Sequence, residues 1–162
     1  MTKHHTIVTT VENKPGVLAR VAGLFARRGF NIESLAVAPT DDEAFSRITF
    51  VVDVESAPLE QVVKQLDKLI NVVEIVELDP TESVALELLM IKIEAQDPSG
   101  LAELIESFEA TILEERGNHF LVTMTDDSVR LDDFEERLRP FGIAEVQRTG
   151  KVALRSLDAP ER

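Results

Sequence analysis

Apolar residues change their spacing along this chain in one order and then repeat that order, and no other feature restricts the fold as much. Residues 5–11 (HTIVTTV) are rich in β-branched side chains and run into Glu12-Asn13-Lys14-Pro15, a turn signal. Val17, Leu18, Val21, Leu24 and Phe25 fall on one face of a helix. Gly29 stands just after it, where a left-handed residue is tolerated, and residues 32–37 resume as a strand. Residues 39–43 are a polar turn. Ile48, Phe50, Val52 and Val54 then alternate with their neighbours, which predicts a strand with one buried face. Leu59, Val62, Val63, Leu66, Leu69 and Ile70 outline a second helix, and residues 72–78 a further strand.

Residues 79–83 (DPTES) have the composition of a short linker, and beyond them the order recurs. Leu89, Ile91 and Ile93 alternate until QDPSG at residues 96–100; Leu101, Leu104, Ile105 and Phe108 share a helix face. Residues 111–115 and then Phe120, Val122 and Met124 suggest two strands meeting at Gly117-Asn118. Leu131, Phe134 and Leu138 form another helical stripe, and residues 143–148 a last strand. The predicted class is α+β: two ferredoxin-like βαββαβ domains, residues 3–79 and 84–155. Each carries both helices on one face of a four-stranded antiparallel sheet. The other sheet face, or an edge, is then free to pair with a partner.

Charge narrows the function. The chain has 30 acidic and 17 basic residues, a formal charge of -13, so phosphate backbones and anionic lipid are repelled. Neither nucleic acid nor a membrane is an expected partner. Arg20, Arg27 and Arg28 make the one basic patch, which reads as a solvated helix face with cations near its C-terminal end. The absence of cysteine removes disulfides, thiolate metal sites and cysteine nucleophiles together, and fits a reducing cytoplasm. No apolar run reaches the length of a membrane span, and MTKHHTIVTTV lacks the features of a signal peptide. The expected location is cytoplasmic.

Catalytic groups are hard to find. His4 and His5 are adjacent on a strand and point to opposite faces, so they cannot easily chelate one ion; His119 sits beside a hairpin tip. The carboxylate clusters Asp41-Asp42-Glu43, Glu114-Glu115, Asp126-Asp127 and Asp132-Asp133 all lie in turns or at element ends. Catalysis would require convergence and a perturbed environment, and the sequence displays neither. Nucleophile elbows and glycine-rich phosphate loops are missing. No metal and no cofactor are expected in this chain.

The two ends of the first helix are chemically unusual. Pro15 suits a helix's first turn, and Gly16 leaves the first amides uncovered by a Cβ, a ready place for a carboxylate. Asn31 carries a donor and an acceptor able to hold the polar end of an amino acid, with Ile32 and Leu35 as apolar surface nearby. Both ends also read as punctuation: Pro-Gly as a loop, Asn31 as completing a turn. The second half repeats a Pro-x-Gly at Pro98-Ser99-Gly100 but has no Gly-x-Asn after its helix.

NKPGVLARVAGLFARRGFNIESLAVAPTDD, with SRITFVV and LEQVVKQLDKLINVVEIVEL downstream, resembles the ACT domain of the small regulatory subunit family of acetolactate synthase. The runs RRGFNIESLAV and KQLDKLINV are the most specific parts. The resemblance is close over residues 3–79 and looser beyond, through ELLMIKI and TGKVALRSL. It implies a regulatory subunit without chemistry of its own. Such a subunit binds and activates the catalytic subunit, where thiamine diphosphate, Mg and FAD are expected, and confers feedback inhibition by a branched-chain amino acid, usually valine. It also implies a homodimer in which two ACT domains pair side by side and hold the effector between them. Asn13, Pro15, Gly16, Val17 and Leu18 would come from one protomer's loop, and Asn31 and Ile32 from the facing strand. Two alternatives remain. One is a free-standing amino-acid sensor acting on another target. The other is a small ferredoxin-like enzyme such as an acyl-phosphate hydrolase, which needs an arginine-lined anion loop.

Overall fold

A computed structural model describes residues 4–53 and 59–160. Val54 and Lys3, which figure in the sequence expectations, lie outside the described residues. Period-two and helical stretches appear in the expected order. The first set is β1 (His4–Glu12), α1 (Val17–Arg27), β2 (Asn31–Pro39), β3 (Phe45–Asp53), α2 (Leu59–Leu66) and β4 (Val72–Leu78). The second is β5 (Ser83–Glu94), α3 (Leu101–Ser107), β6 (Thr111–Arg116), β7 (His119–Asp126), α4 (Ser128–Leu138) and β8 (Ile143–Arg148). A 3₁₀ turn (Arg139–Phe141) precedes β8, and β9 (Val152–Arg155) follows it. Two ferredoxin-like units result, one of residues up to 85 together with those from 151 onward, the other of residues 86–150.

In the first unit the sheet order is β2-β3-β1-β4, all neighbours antiparallel. Ile7, Val11, Ile48, Phe50 and Val52 meet Val17, Val21 and Phe25 of α1 and Val62 and Leu66 of α2 in one buried cluster. β3 departs from the one-faced strand expected of it, because Thr49 and Val51, which point to the opposite face, are buried as well. On the face away from the helices Val8 and Leu78 pack with Ala153 of β9, and Arg47 donates to the Ala153 carbonyl at 3.3 Å. The sheet face expected to be free is therefore partly covered by the chain's own later segment. That segment was not read as an element, since four residues with one buried side chain carry no usable period.

α2 also stops earlier than its apolar stripe. Asp67 donates back to Val63, after which Leu69 to Leu66 and Val72 to Leu69 are tighter i to i+3 bonds. Leu69 still reaches the core, whereas Ile70 is 90% exposed.

The second unit has the order β6-β7-β5-β8. Leu89, Ile91 and Ile93 of β5 and Phe120, Val122 and Met124 of β7 pack on Leu101 and Ile105 of α3 and Leu131, Phe134 and Leu138 of α4. The helix that follows each unit's first strand ends in the same bond pattern. After α1, Phe30 donates to Phe25 and Gly29 to Ala26; after α3, Ala110 donates to Ile105 and Glu109 to Glu106. Each pair defines a Schellman motif, whose pivot must be left-handed. Gly29 meets that demand at φ 72, but Glu109 stands there at φ 57, the one non-glycine among the described residues with positive φ. A left-handed conformation costs a residue with a Cβ about 1–2 kcal/mol. Glu109→Gly should therefore stabilise the second unit by roughly 1 kcal/mol, after allowance for glycine's greater freedom when unfolded. Chemical denaturation of the two full-length chains checks this, and a lower midpoint for the glycine variant would contradict it.

Candidate functional site

Pro15 and Gly16 lie ahead of α1 rather than in its first turn. Gly16 is the N-cap residue at φ 84, ψ -10, and Val17 donates to the Lys14 carbonyl at 3.3 Å. With proline second and glycine third, Lys14-Pro15-Gly16-Val17 is a type II turn. Only then does the helical ladder begin, with Arg20 donating to Gly16 at 3.0 Å. No side chain caps α1, so its start presents backbone amides and the positive end of the helix dipole. Gly100 repeats the geometry ahead of α3 at φ 82, ψ -8.

The expected site residues divide between the two ends of this helix. Asn13 is exposed but engaged: its backbone donates to Ala44 at 2.8 Å and its amide to the Glu43 carbonyl at 2.9 Å. This anchors the loop to the turn between β2 and β3. Pro15, Gly16 and Leu18 face solvent, while the side chain of Val17 belongs to the core. At the far end, Asn31 is the first residue of β2 rather than a turn residue, exposed and paired in register with Asp53. Among the described residues its side-chain amide has no hydrogen-bond partner. A β-bulge lies between Ile32 and Ser34, which turns the next side chains to a new phase. Ile32 and Leu35 pack half-buried against the core. α1 has 11 residues, and at 1.5 Å per residue its two ends are about 16 Å apart. One amino acid cannot touch both Gly16 and Asn31 of the same chain.

Glu114-Glu115 lie within β6 rather than at an element end, and the other three carboxylate clusters have structural duties. Asp42 accepts from the Ala44 amide at 3.0 Å, and Asp127 caps α4 by accepting from Arg130 at 2.9 Å. Asp133 pairs with Arg137 at 3.0 Å, and Asp132 with Arg148 at 2.8 Å. His4 reaches Glu33 at 3.0 Å and His5 reaches Glu77 at 2.8 Å, on strands at opposite edges of the sheet. Among the described residues, no three potential metal-ligating side chains stand together, and no helix is long and apolar enough to cross a membrane.

Sequence reasoning missed a polar group beside the Pro-Gly turn. Glu12, Lys14, Arg20 and Asn71 form a chain of hydrogen bonds between 2.6 and 3.1 Å. The Asn71 amide, then Lys14, holds the Glu12 carboxyl below its usual range. Asn71 lies within the KQLDKLINV run, but no period in that run marks it for a polar contact.

Two family models match the chain: the AHAS small subunit-like ACT domain over residues 7–74, and the small subunit of acetolactate synthase over residues 86–156. The acetolactate synthase small subunit of Mycobacterium bovis is 47% identical over 154 residues, 94% of this chain and 92% of that protein. The probable acetolactate synthase small subunit of Archaeoglobus fulgidus is 45% identical over 152 residues, 93% of this chain and 95% of that protein. Among solved structures, the acetolactate synthase small subunit of Thermotoga maritima matches with a TM-score of 0.89 at 32% identity, covering 97% of this chain and 99% of that one.

Proposed function

The chain belongs to the family of acetolactate synthase small subunits, and from that premise we propose that it binds the thiamine-diphosphate-dependent catalytic subunit, raises its activity and makes it sensitive to valine. Chemistry and cofactors stay with the large subunit. Residues 3–79 form the effector-binding ACT domain, and residues 84–155 the C-terminal domain. The observation that carries the effector reading is the layout of α1. An uncapped amide-presenting turn lies at one end and, at the other, an exposed asparagine whose amide has no partner among the described residues, about 16 Å apart.

A zwitterion needs both kinds of group within a few ångströms. Two copies supply them when the Asn13–Leu18 loop of one faces Asn31 and Ile32 of its partner. The helix start takes the carboxylate, and the asparagine amide takes the polar groups beside it. The second unit repeats the first half of this arrangement at Gly100 but offers Glu109 where the first has Gly29, and no asparagine two residues on. Effector binding is accordingly assigned to the first unit. β2 and β4 are the edge strands of that sheet, and an edge invites pairing.

The test mixes the full-length chain with the catalytic subunit and measures acetolactate with and without valine. Expected are a higher rate on mixing and loss of that gain with valine. No change in rate would remove the regulatory reading, and valine binding without any effect on acetolactate would favour a free-standing sensor. Light scattering on the chain alone should give a homodimer, and a stable monomer at micromolar concentration would remove the two-chain pocket.

A further inference from the structure

Between Glu12 and Val17 the chain is tied down on both flanks, and on one flank the ties converge on Asn71, in the turn that leads from α2 into β4. Glu12 donates its backbone N–H to the Asn71 carbonyl at 2.9 Å, and the Asn71 amide donates back to the Glu12 carboxylate at 2.6 Å. The Asn71 side-chain oxygen accepts from Arg20 Nη1 at 3.0 Å, one turn into α1. Glu12 also accepts from Lys14 Nζ at 3.1 Å, and Lys14 is the first residue of the type II turn. On the other flank, Asn13 is bound to Ala44 and Glu43. Among the described residues the Gly16 N–H has no partner.

We propose that Asn71 is a positioning residue for the effector loop: by gripping Glu12 and Arg20 at once, it sets the Lys14-Pro15-Gly16 turn against the start of α1, so that an amino-acid carboxylate meets amides already in place. This rests on the effector reading above and adds the residue that regulates its affinity without touching the ligand. A loop ordered before binding loses less freedom on binding, so the grip appears as affinity. Asparagine suits the task because it donates to a carboxylate and accepts from a guanidinium simultaneously. Aspartate keeps the acceptor for Arg20 but turns a second negative charge on Glu12, and leucine keeps neither bond. The lowered Glu12 pKa means that this carboxylate is ionised, and the grip complete, throughout the neutral range.

The experiment uses the full-length chain with Asn71→Leu, Asn71→Asp, Glu12→Gln and the double variant Glu12→Gln/Asn71→Leu. Each is titrated calorimetrically with valine, and exchange of the Val17 and Arg20 amides, bonded to Lys14 and Gly16, is followed without ligand. Asn71→Leu and Asn71→Asp should bind valine at least tenfold more weakly and exchange these amides faster, while the chain stays folded at the temperature of the titration. The double variant should bind no more weakly than Asn71→Leu alone, because both remove one grip. Wild-type affinity in Asn71→Leu, or additive losses in the double variant, would overturn the proposal. If the wild-type chain itself takes up no valine, the effector reading fails on its own account. The grip is then judged by exchange: faster Val17 and Arg20 amides in Asn71→Leu sustain it, and unchanged rates overturn it.

Discussion

Acetolactate synthesis by a complex carrying Asn31→Ala is expected to run at one rate with or without valine, and at close to the activated wild-type rate. An effector inhibits only through its different affinity for two states, and such couplings are typically about 1–3 kcal/mol. In the proposed pocket the Asn31 amide holds the effector, and losing that one contact is enough to remove that much. Asn31 is exposed at the start of β2, and among the described residues its amide bonds nothing, so alanine costs the fold little. Gly16→Asp should give the same phenotype by another route. A Cβ at Gly16 meets no atom within 4 Å, but φ 84 imposes left-handed strain of about 1 kcal/mol, and the new carboxylate stands where the effector's would. Gly16→Ala separates the two effects, since it carries the strain without the charge and should keep most of the inhibition. Glu60→Gln, an exposed change on α2, should alter nothing. Inhibition of the Asn31→Ala complex at the wild-type valine concentration would reduce Asn31 to a strand-start residue. Simultaneous loss of activation would mean that effector pocket and docking surface share residues.

Arg148→Ala is expected to destabilise the second unit about as much as truncating a core side chain would. The Arg148 guanidinium, at the end of β8, meets three carboxylates: Asp132 at 2.8 Å, Glu135 at 2.9 Å and Glu87 at 3.4 Å. Burial acts to lower its pKa, but the bonds from Asp132 and Glu135 outweigh that and raise it. Glu87 is the buried partner, its side chain 8% exposed, with a 3.5 Å contact from the Ser128 hydroxyl as its other polar neighbour. Without Arg148 that carboxylate stays buried and uncompensated, which typically costs 3–5 kcal/mol. Arg148 retains about a quarter of its side-chain exposure, which points to the lower end of that range. For a domain of this size 1 kcal/mol moves the melting temperature by roughly 4–8 °C, so a fall on the order of 15 °C is expected. Glu87→Leu combined with Arg148→Met should recover most of it, because an apolar pair of similar volume needs no charge compensation. A melting temperature within about 4 °C of wild type for Arg148→Ala would show that water reaches Glu87.

The elements around these residues were legible because they follow from chain-local rules. Strand and helix periods located β1 to β8 and α1 to α4, and Pro15-Gly16 and Gly29 marked the two ends of α1. Even the contrast between the units was readable, in the Gly-x-Asn present after α1 and absent after α3. Other parts were out of reach. Leu18, read on the apolar face of α1 beside Val17, is exposed where Val17 is buried, and Leu69 and Ile70 continued a helical stripe that the backbone had already left.

What the sequence by itself determined is the order of secondary structure, the class of fold and the chemistry offered at each end of α1, since burial of one face imposes a period and turns impose glycine, proline and asparagine. What only the tertiary structure decided is which distant polar groups meet. Asn71 lies 59 residues from Glu12 and Arg148 lies 61 from Glu87. Nothing in either segment distinguishes a gripping asparagine or a buried glutamate from their exposed neighbours. Hydrogen bonds and ion pairs between strands and turns have no sequence period. They depend on strand order and register, and β9 settling against Val8 and Leu78 through Ala153 has the same origin.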